Sequence, residues 1–473
     1  MIRARLARAA ASALALTTLA AGAPTVALGH QLNASYTSRL PLAVYLAGAG
    51  LTVALSFAFV ILRDIRAELP PDDGRGSQPP AWLRVALRAV GLIGWGWVMA
   101  QGLAGGSSDA NVANLFLNVY GWVGLAIVSA VIGPAWHWID PFSTLYDIGA
   151  AIVRRLGIGS WDLSEYPAGL GRWPAAIGLV FFIWLELVAG GGDPGTLFIV
   201  LAGYTALTLA MMAQFGRDEW RATGEVFTVW FRLLGRLVPV ALVDETGRVR
   251  RRPFAAGLLD RDWSVAEVVL VALGVGSVLF DGLSQTQVYF DLFGVTDVPQ
   301  ETILLLAFLG LIVAAALGLV RQLGPGPAGA GLLPIAAGYI VAHYFAYLLI
   351  DGQQLIVALS DPLQRGWDLF GTAFHQPDGA WLPPGLVWTV QLAAVVGGHM
   401  LGAWGGHAAA TAAAAPGTKA RTLRLRQVPL AVVMVALTTL TLWSLGQDLV
   451  VTPEDETATN PAGLSATTAT VPY

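Results

Sequence analysis

Cysteine is absent from all 473 residues. Disulfides, thiolate metal sites, iron–sulfur clusters and a cysteine nucleophile are thereby excluded. Charge is scarce as well. Asp, Glu, Lys and Arg make up 12% of the chain, about half of what a soluble domain carries. With six histidines, any metal has to be held by imidazole, carboxylate or backbone. The Walker A loop, HExxH and the G-x-S-x-G elbow are missing too. What remains abundant is apolar: 55% of the residues are hydrophobic. Long apolar runs without period-2 alternation predict an all-α fold, a polytopic helical membrane bundle, with the lipid bilayer as its main partner.

Arg3, Arg5 and Arg8 precede an apolar run from Ala9 to Ala21 and then small residues. This is the pattern of a secretory signal peptide, with an uncleaved signal anchor as the alternative. Pro24 disfavours a cut after Ala23, so residues 1–29 are expected to leave and His30 to become the mature N-terminus. Residues 30–446 form the helical domain. The polar, acidic residues 447–473 read as a disordered tail.

About ten spans follow at the usual 17–25 residues: Leu40–Leu62, Val85–Leu103, Leu115–Pro134, Pro174–Gly190, Thr196–Phe215, Val265–Leu283, Ile303–Val320, Leu332–Ile350, Leu386–Gly405 and Leu430–Leu445. Arginine and lysine crowd every second connection, most densely between Arg217 and Arg261. By the positive-inside rule the odd spans run inward and both mature ends lie outside the cytoplasmic membrane. The basic loops are thus explained by topology, and nucleic acid is not an expected partner. In the large basic loop, residues 219–240 mix aromatics with arginines at helical spacing, which suggests a helix lying at the interface. The following DETGRVRRRP suggests a glycine turn between short strands or coil. Asp140 before Pro141 predicts a capped turn at the inner surface.

One stretch stands out, IAAGYIVAHYFAYLLIDGQQ, residues 335–354. Tyr339, His343, Tyr347 and Asp351 recur every four residues, so on a helix they form one polar stripe. Such a stripe is costly against lipid and must face other helices or water. Glu186 and Asp281 fall at similar outer depth on two other spans, and His399 lies near mid-depth on a third. These residues could converge as a site. His343, Asp281 and Glu186 are the candidates for chemistry, and Tyr339, Tyr347 and Asp351 for lining a ligand cavity. His30, His343 and His399 are the candidates for holding a divalent metal, zinc or copper. The same groups would serve a proton relay. They would also serve as interhelical hydrogen-bond glue. Asp361, Asp368 and His375, in an outer loop, could add ligands from above.

DPFSTLYD, FDGLSQT, AHYFAYLLIDGQQ and SDPL-x₂-GWDLFGTA, together with a small-residue-then-His junction, resemble the multi-pass bacterial proteins labelled fenitrothion hydrolase-like. The resemblance runs from Gly29 to Gln447. It implies hydrolysis of an organophosphorus ester, chemistry that usually employs a metal-activated hydroxide. Two rival expectations stand beside it. One is a transporter or handler of a metal ion such as copper, which needs a polar path continuing inward past His399 to His407. The other is a structural membrane protein whose stripe is only packing.

Overall fold

Proline or a capping side chain opens most of the helices. Asp140 caps the helix that starts at Pro141, and Asp193 the one at Pro194. Ser264 and Glu267 form a reciprocal capping box. These devices satisfy N–H groups that a helix start leaves unpaired, and proline has no N–H to lose there. The computed structural model describes residues 41–63, 76–106, 108–157, 164–189, 193–242, 247–415 and 418–447. The expected signal peptide, His30 and the tail beyond residue 447 lie outside the described residues.

In chain order the helices are α1 (Leu42–Arg63), α2 (Ala81–Ala104), α3 (Val112–Val131), α4 (Trp136–Ile139), α5 (Pro141–Arg155), α6 (Trp173–Leu187), α7 (Pro194–Phe215) and α8 (Arg217–Thr223). They continue with α9 (Val226–Leu234), α10 (Val265–Ser284), α11 (Gln287–Phe293), α12 (Val298–Leu323), α13 (Pro325–Ile350), α14 (Gln354–Ser360), α15 (Pro384–Ala413) and α16 (Ala420–Leu445). Among the described residues nine are long and apolar enough to cross a membrane: α1, α2, α3, α7, α10, α12, α13, α15 and α16. The protein is an all-α helical membrane bundle. The fourth expected span is a shorter element. α6 has 15 residues, roughly 22 Å at 1.5 Å per residue, against about 30 Å of hydrocarbon. Val188 and Ala189, directly behind it, are no longer helical. Residues 115–124 of α3 take a π-helical form, a register seen mostly as a local feature at functional sites.

α10 and α13 are the central helices. Sixteen residues of α10, from Ala266 to Asp281, are buried. α13 is buried from Pro327 to Tyr347 with few breaks. A helix apolar all round belongs in the interior. In lipid, close packing replaces the hydrophobic effect as the force between helices. α13 and α15 show this directly. A Cβ on Gly398 would stand 2.6 Å from the Pro334 carbonyl, and one on Gly402 only 2.3 Å from that of Gly331. With Gly406 these glycines recur every four residues on one face of α15, so the two backbones touch.

The expected interfacial helix is instead an interior one. Every residue of α9 except Arg232 is buried. Trp230 stacks on Trp122 with ring centroids 5.9 Å apart and occupies the space beside Gly274, whose Cβ would meet the indole at 2.3 Å. Aromatic side chains this large find more contact inside the bundle than along its rim. The DETGRVRRRP segment contributes to a two-stranded antiparallel hairpin, β1 (Val240–Leu242) with β2 (Val249–Arg251). Gly247, at φ +81°, lies in its connection.

Candidate functional site

α10 and α13 place their polar residues against each other near their C-terminal ends. His343 Nε2 lies 2.9 Å from Asp281 Oδ2. The Tyr344 hydroxyl donates to the same oxygen at 2.9 Å, and Gln285 donates to Oδ1 at 2.7 Å. Asp281 therefore accepts from three side chains and holds the imidazole in one orientation. The ring of His343 stands edge-on to that of Tyr344, centroids 4.6 Å apart. Its other edge lies against Gly282, where a Cβ would come within 3.5 Å of both the ring and the Ser444 hydroxyl. Asp281 and His343 are 2% and 4% exposed.

Glu186, on α6, is also buried, and neither of its carboxyl oxygens has a hydrogen-bond partner among the described residues. It lies within electrostatic reach of Asp281, Tyr344 and Tyr347. An ionised carboxylate with both oxygens unpaired in such a place would cost several kcal/mol, so the position calls for a proton, water or ion that the protein itself does not supply.

The stripe on α13 faces inward. Tyr339, His343 and Tyr347 are buried, while Asp351 sits partly exposed in the 3-10 turn that follows. Tyr347 lies within electrostatic reach of Asp351 and Asp109. One turn before His343, Tyr339 places its hydroxyl 3.5 Å from His399 Nε2 and adjoins Thr441 of α16. His399 Nδ1 donates to its own helix at the Val395 carbonyl, 2.8 Å away. Two turns further along α15, His407 Nδ1 meets Gln427 Oε1 at 2.8 Å, while Nε2 of both residues is buried without a partner.

The structure thus brings His343 together with Asp281, and Glu186 into their neighbourhood. It does not bring His399 to His343. Among the described residues no three His, Asp or Glu side chains come together as a metal-binding group. His343 uses Nε2 on Asp281 and His399 uses Nδ1 on a carbonyl, bonds that leave the other ring nitrogen of each available. What the described residues lack is further ligands converging on either one. By themselves they do not supply the three or four converging ligands of a zinc or copper centre; His30, the third expected ligand, lies outside them.

The outer-loop residues are engaged in the loop itself. Asp361 accepts from the Arg365 and Gly366 amides, Asp368 from Ser360 and Ala373, and His375 meets Gln353 at 3.2 Å. A polar cleft of about 500 Å³ opens there, lined by Asp109, Gln354, Asp361 and His375 among others.

Two participants lay off the stripe. Tyr344 is one residue from His343 and on a different face, so the four-residue spacing does not find it. Gln285 follows Asp281 by one helical turn, a spacing that could have revealed it. The arginine-rich end holds a second buried network. Asp140 Oδ2 pairs with Arg221 at 3.1 Å, and Arg221 reaches His137 Nδ1 at 3.0 Å. Comparison with known proteins finds no matching family model, no curated relative and no solved structure.

Proposed function

We propose that the protein conducts protons through the bilayer, with Asp281, His343 and Tyr344 as its central protonatable site. The observation that carries this reading is a file of buried titratable and hydroxyl groups on α6, α10, α13, α15 and α16. It begins at Asp351 and Tyr347 beside the cleft and reaches Glu186, Asp281 and His343. It then passes Tyr339, Thr441 and His399 and ends at His407 with Gln427. A packing role needs each polar group satisfied locally. Glu186, His407 and Gln427 keep unpaired buried atoms, which suits groups that bind transient protons or water. From His399 to His407 the helix rises roughly 12 Å, a stretch that water has to bridge. Under this reading, with the orientation expected from the positive-inside rule, the cleft faces outside and His407 lies toward the cytoplasm.

The test is proteoliposomes with a trapped pH dye and a potassium diffusion potential. Wild type should take up protons, and His343→Gln and Asp281→Asn should not. Uptake no faster than in empty liposomes would end the reading.

A second reading has its own observation. Asp281 bonded to Nε2 fixes the ring of His343 and leaves Nδ1 as the nitrogen that could act as a general base. His343 would take a proton from water while the hydroxide attacks phosphorus and the aryloxide leaves. This accords with the fenitrothion hydrolase-like resemblance and asks for no metal ligand set. Ester cleavage by detergent-solubilised protein, lost in His343→Gln, would favour it over transport.

A further inference from the structure

At the arginine-rich end, α2, α4, α5 and α8 enclose a cavity of about 410 Å³. Arg84, Arg88, Arg217 and Arg221 line it, together with His137 and Asp140. The acids nearby are committed. Asp140 pairs with Arg221, Asp147 is shared by Arg88 and Arg217 at 2.8 and 2.7 Å, and Asp218 adds to Arg217 at 2.8 Å. Arg84 has no ion pair among the described residues, and its Nε is buried without a hydrogen-bond partner. A buried guanidinium donor without a partner demands an anion or water. The Trp138 indole N–H is a second buried donor on the same lining without a partner among the described residues. Burial and the surrounding arginines push His137 down to about 3, so it stays neutral and adds a donor rather than charge.

We propose that this cavity binds the phosphate of an anionic phospholipid headgroup, held by Arg84 with the other three arginines around it. Phosphate is the group that a set of guanidinium forks suits best. The lipid source is favoured by the wall. On α2, Trp82 and Val85 flank Arg84 and are 71% and 68% exposed, and Val90 and Ile93 continue the apolar surface. Acyl chains can lie along that surface while the headgroup turns in. Basic pockets between spanning helices are where such headgroups settle.

Purified full-length protein in mixed micelles with equal phosphatidylglycerol and phosphatidylcholine decides the matter by native mass spectrometry and thermal midpoint. Wild type should retain phosphatidylglycerol in preference to phosphatidylcholine. Arg84→Ala should weaken retention about tenfold, the loss of one charge-assisted contact. Arg84→Lys should keep most of it. Arg84 makes no hydrogen bond through Nε to lose, so the variant should elute as folded as wild type. Arg321→Ala, an exposed arginine at the end of α12, should behave as wild type. Equal retention by wild type and Arg84→Ala overturns the site, as does an equal loss in Arg321→Ala. Stabilisation by inorganic phosphate alone, lost in Arg84→Ala, overturns the lipid source and assigns the pocket to a soluble phosphate.

Discussion

Asp281→Asn strikes the site at its centre while keeping the side chain's volume. Asp281 accepts from His343 and Tyr344 at 2.9 Å and from Gln285 at 2.7 Å. Asn offers one acceptor oxygen and an NH₂. If the oxygen faces His343 and Tyr344, the NH₂ meets the Gln285 amide, which can flip to accept. All three bonds then survive as neutral ones. Bonds to an ionised group are worth about 1.5–3 kcal/mol and neutral ones about 0.5–1.5. Across three bonds the loss is about 3–4 kcal/mol if each falls by about 1 kcal/mol or slightly more. Interhelical bonds in membranes average nearer 0.6 kcal/mol, which sets a floor of about 1–2 kcal/mol. Asp281→Ala is harsher, since three buried donors lose their acceptor at about 1–3 kcal/mol each. The assay is the thermal midpoint of monodisperse detergent-solubilised protein, followed by proton uptake in liposomes. Asp281→Asn should stay folded, melt lower and lose at least about tenfold in uptake, the effect of about 1.4 kcal/mol on a rate. A variant that melts lower yet moves protons at the wild-type rate would refute the reasoning and leave the cluster as packing.

Three further outcomes follow from other parts of the molecule. Gly402→Ala should sharply lower the yield of folded protein, because its Cβ would stand 2.3 Å from the Gly331 carbonyl, whereas Gly310→Ala, with open space around it, should not; similar elution profiles for both would remove the close α13–α15 contact. His137 sits at about 3 when folded, against 6.5 for the ordinary side chain. The unfolded chain therefore binds the extra proton between those values, and stability should fall as pH drops from about 6.5, by up to about 1.4 kcal/mol per pH unit; thermal midpoints of His137→Asn should lack this component, and an unchanged slope would contradict it. Reporter fusions ending at Gly247 and Gly379 should read inside and outside the cytoplasmic membrane respectively, and the same side for both would break the expected topology.

The spans were legible because twenty apolar residues have few other fates. The order of burial among them was not. α10 and α12 are both strongly apolar in sequence, yet α10 is central and α12 largely faces outward. Lipid and protein interior select the same side chains, so composition cannot separate them. The inward stripe was legible because polar groups at helical spacing cannot face lipid. The partner of His343 was open to expectation as one of two acids, Asp281 and Glu186, at similar outer depth. Tyr344 and the glycines of α15 escaped notice for a common reason: each matters through what the neighbouring helix places opposite it. Residues 219–240 misled because aromatics and arginines suit an interface as well as an interior.

Asp140 and Glu267, at the arginine-rich end, are treated differently from Asp281 and Glu186 at the other, and the difference bears on function. Glu225, also buried near Asp140, is bonded by Trp136, Tyr204 and Thr228. At the arginine-rich end Asp140 is met by Arg221, and Glu267 by Arg236 and Arg172 at 2.9 and 3.3 Å. Arginine keeps its charge at any physiological pH, so such pairs hold a fixed state and serve architecture. At the other end Asp281 is met by an imidazole, whose ordinary range lies near neutrality, and Glu186 offers two oxygens to which no described group donates. A pair whose cation can itself gain or lose a proton is a poor anchor, since one protonation event changes the bond that holds two central helices together. Retaining it in place of an arginine or a leucine has a physical rationale if that change is used. The packing alternative would be better served by an apolar pair of similar volume, which is often neutral or stabilising in place of a buried ion pair. Replacing Asp281 with Leu, His343 and Tyr344 with Phe and Gln285 with Met, so that no donor of the cluster is left without its acceptor, separates the two cases. Packing alone predicts a variant about as stable as wild type with function intact, and proton handling predicts a stable protein that no longer moves protons.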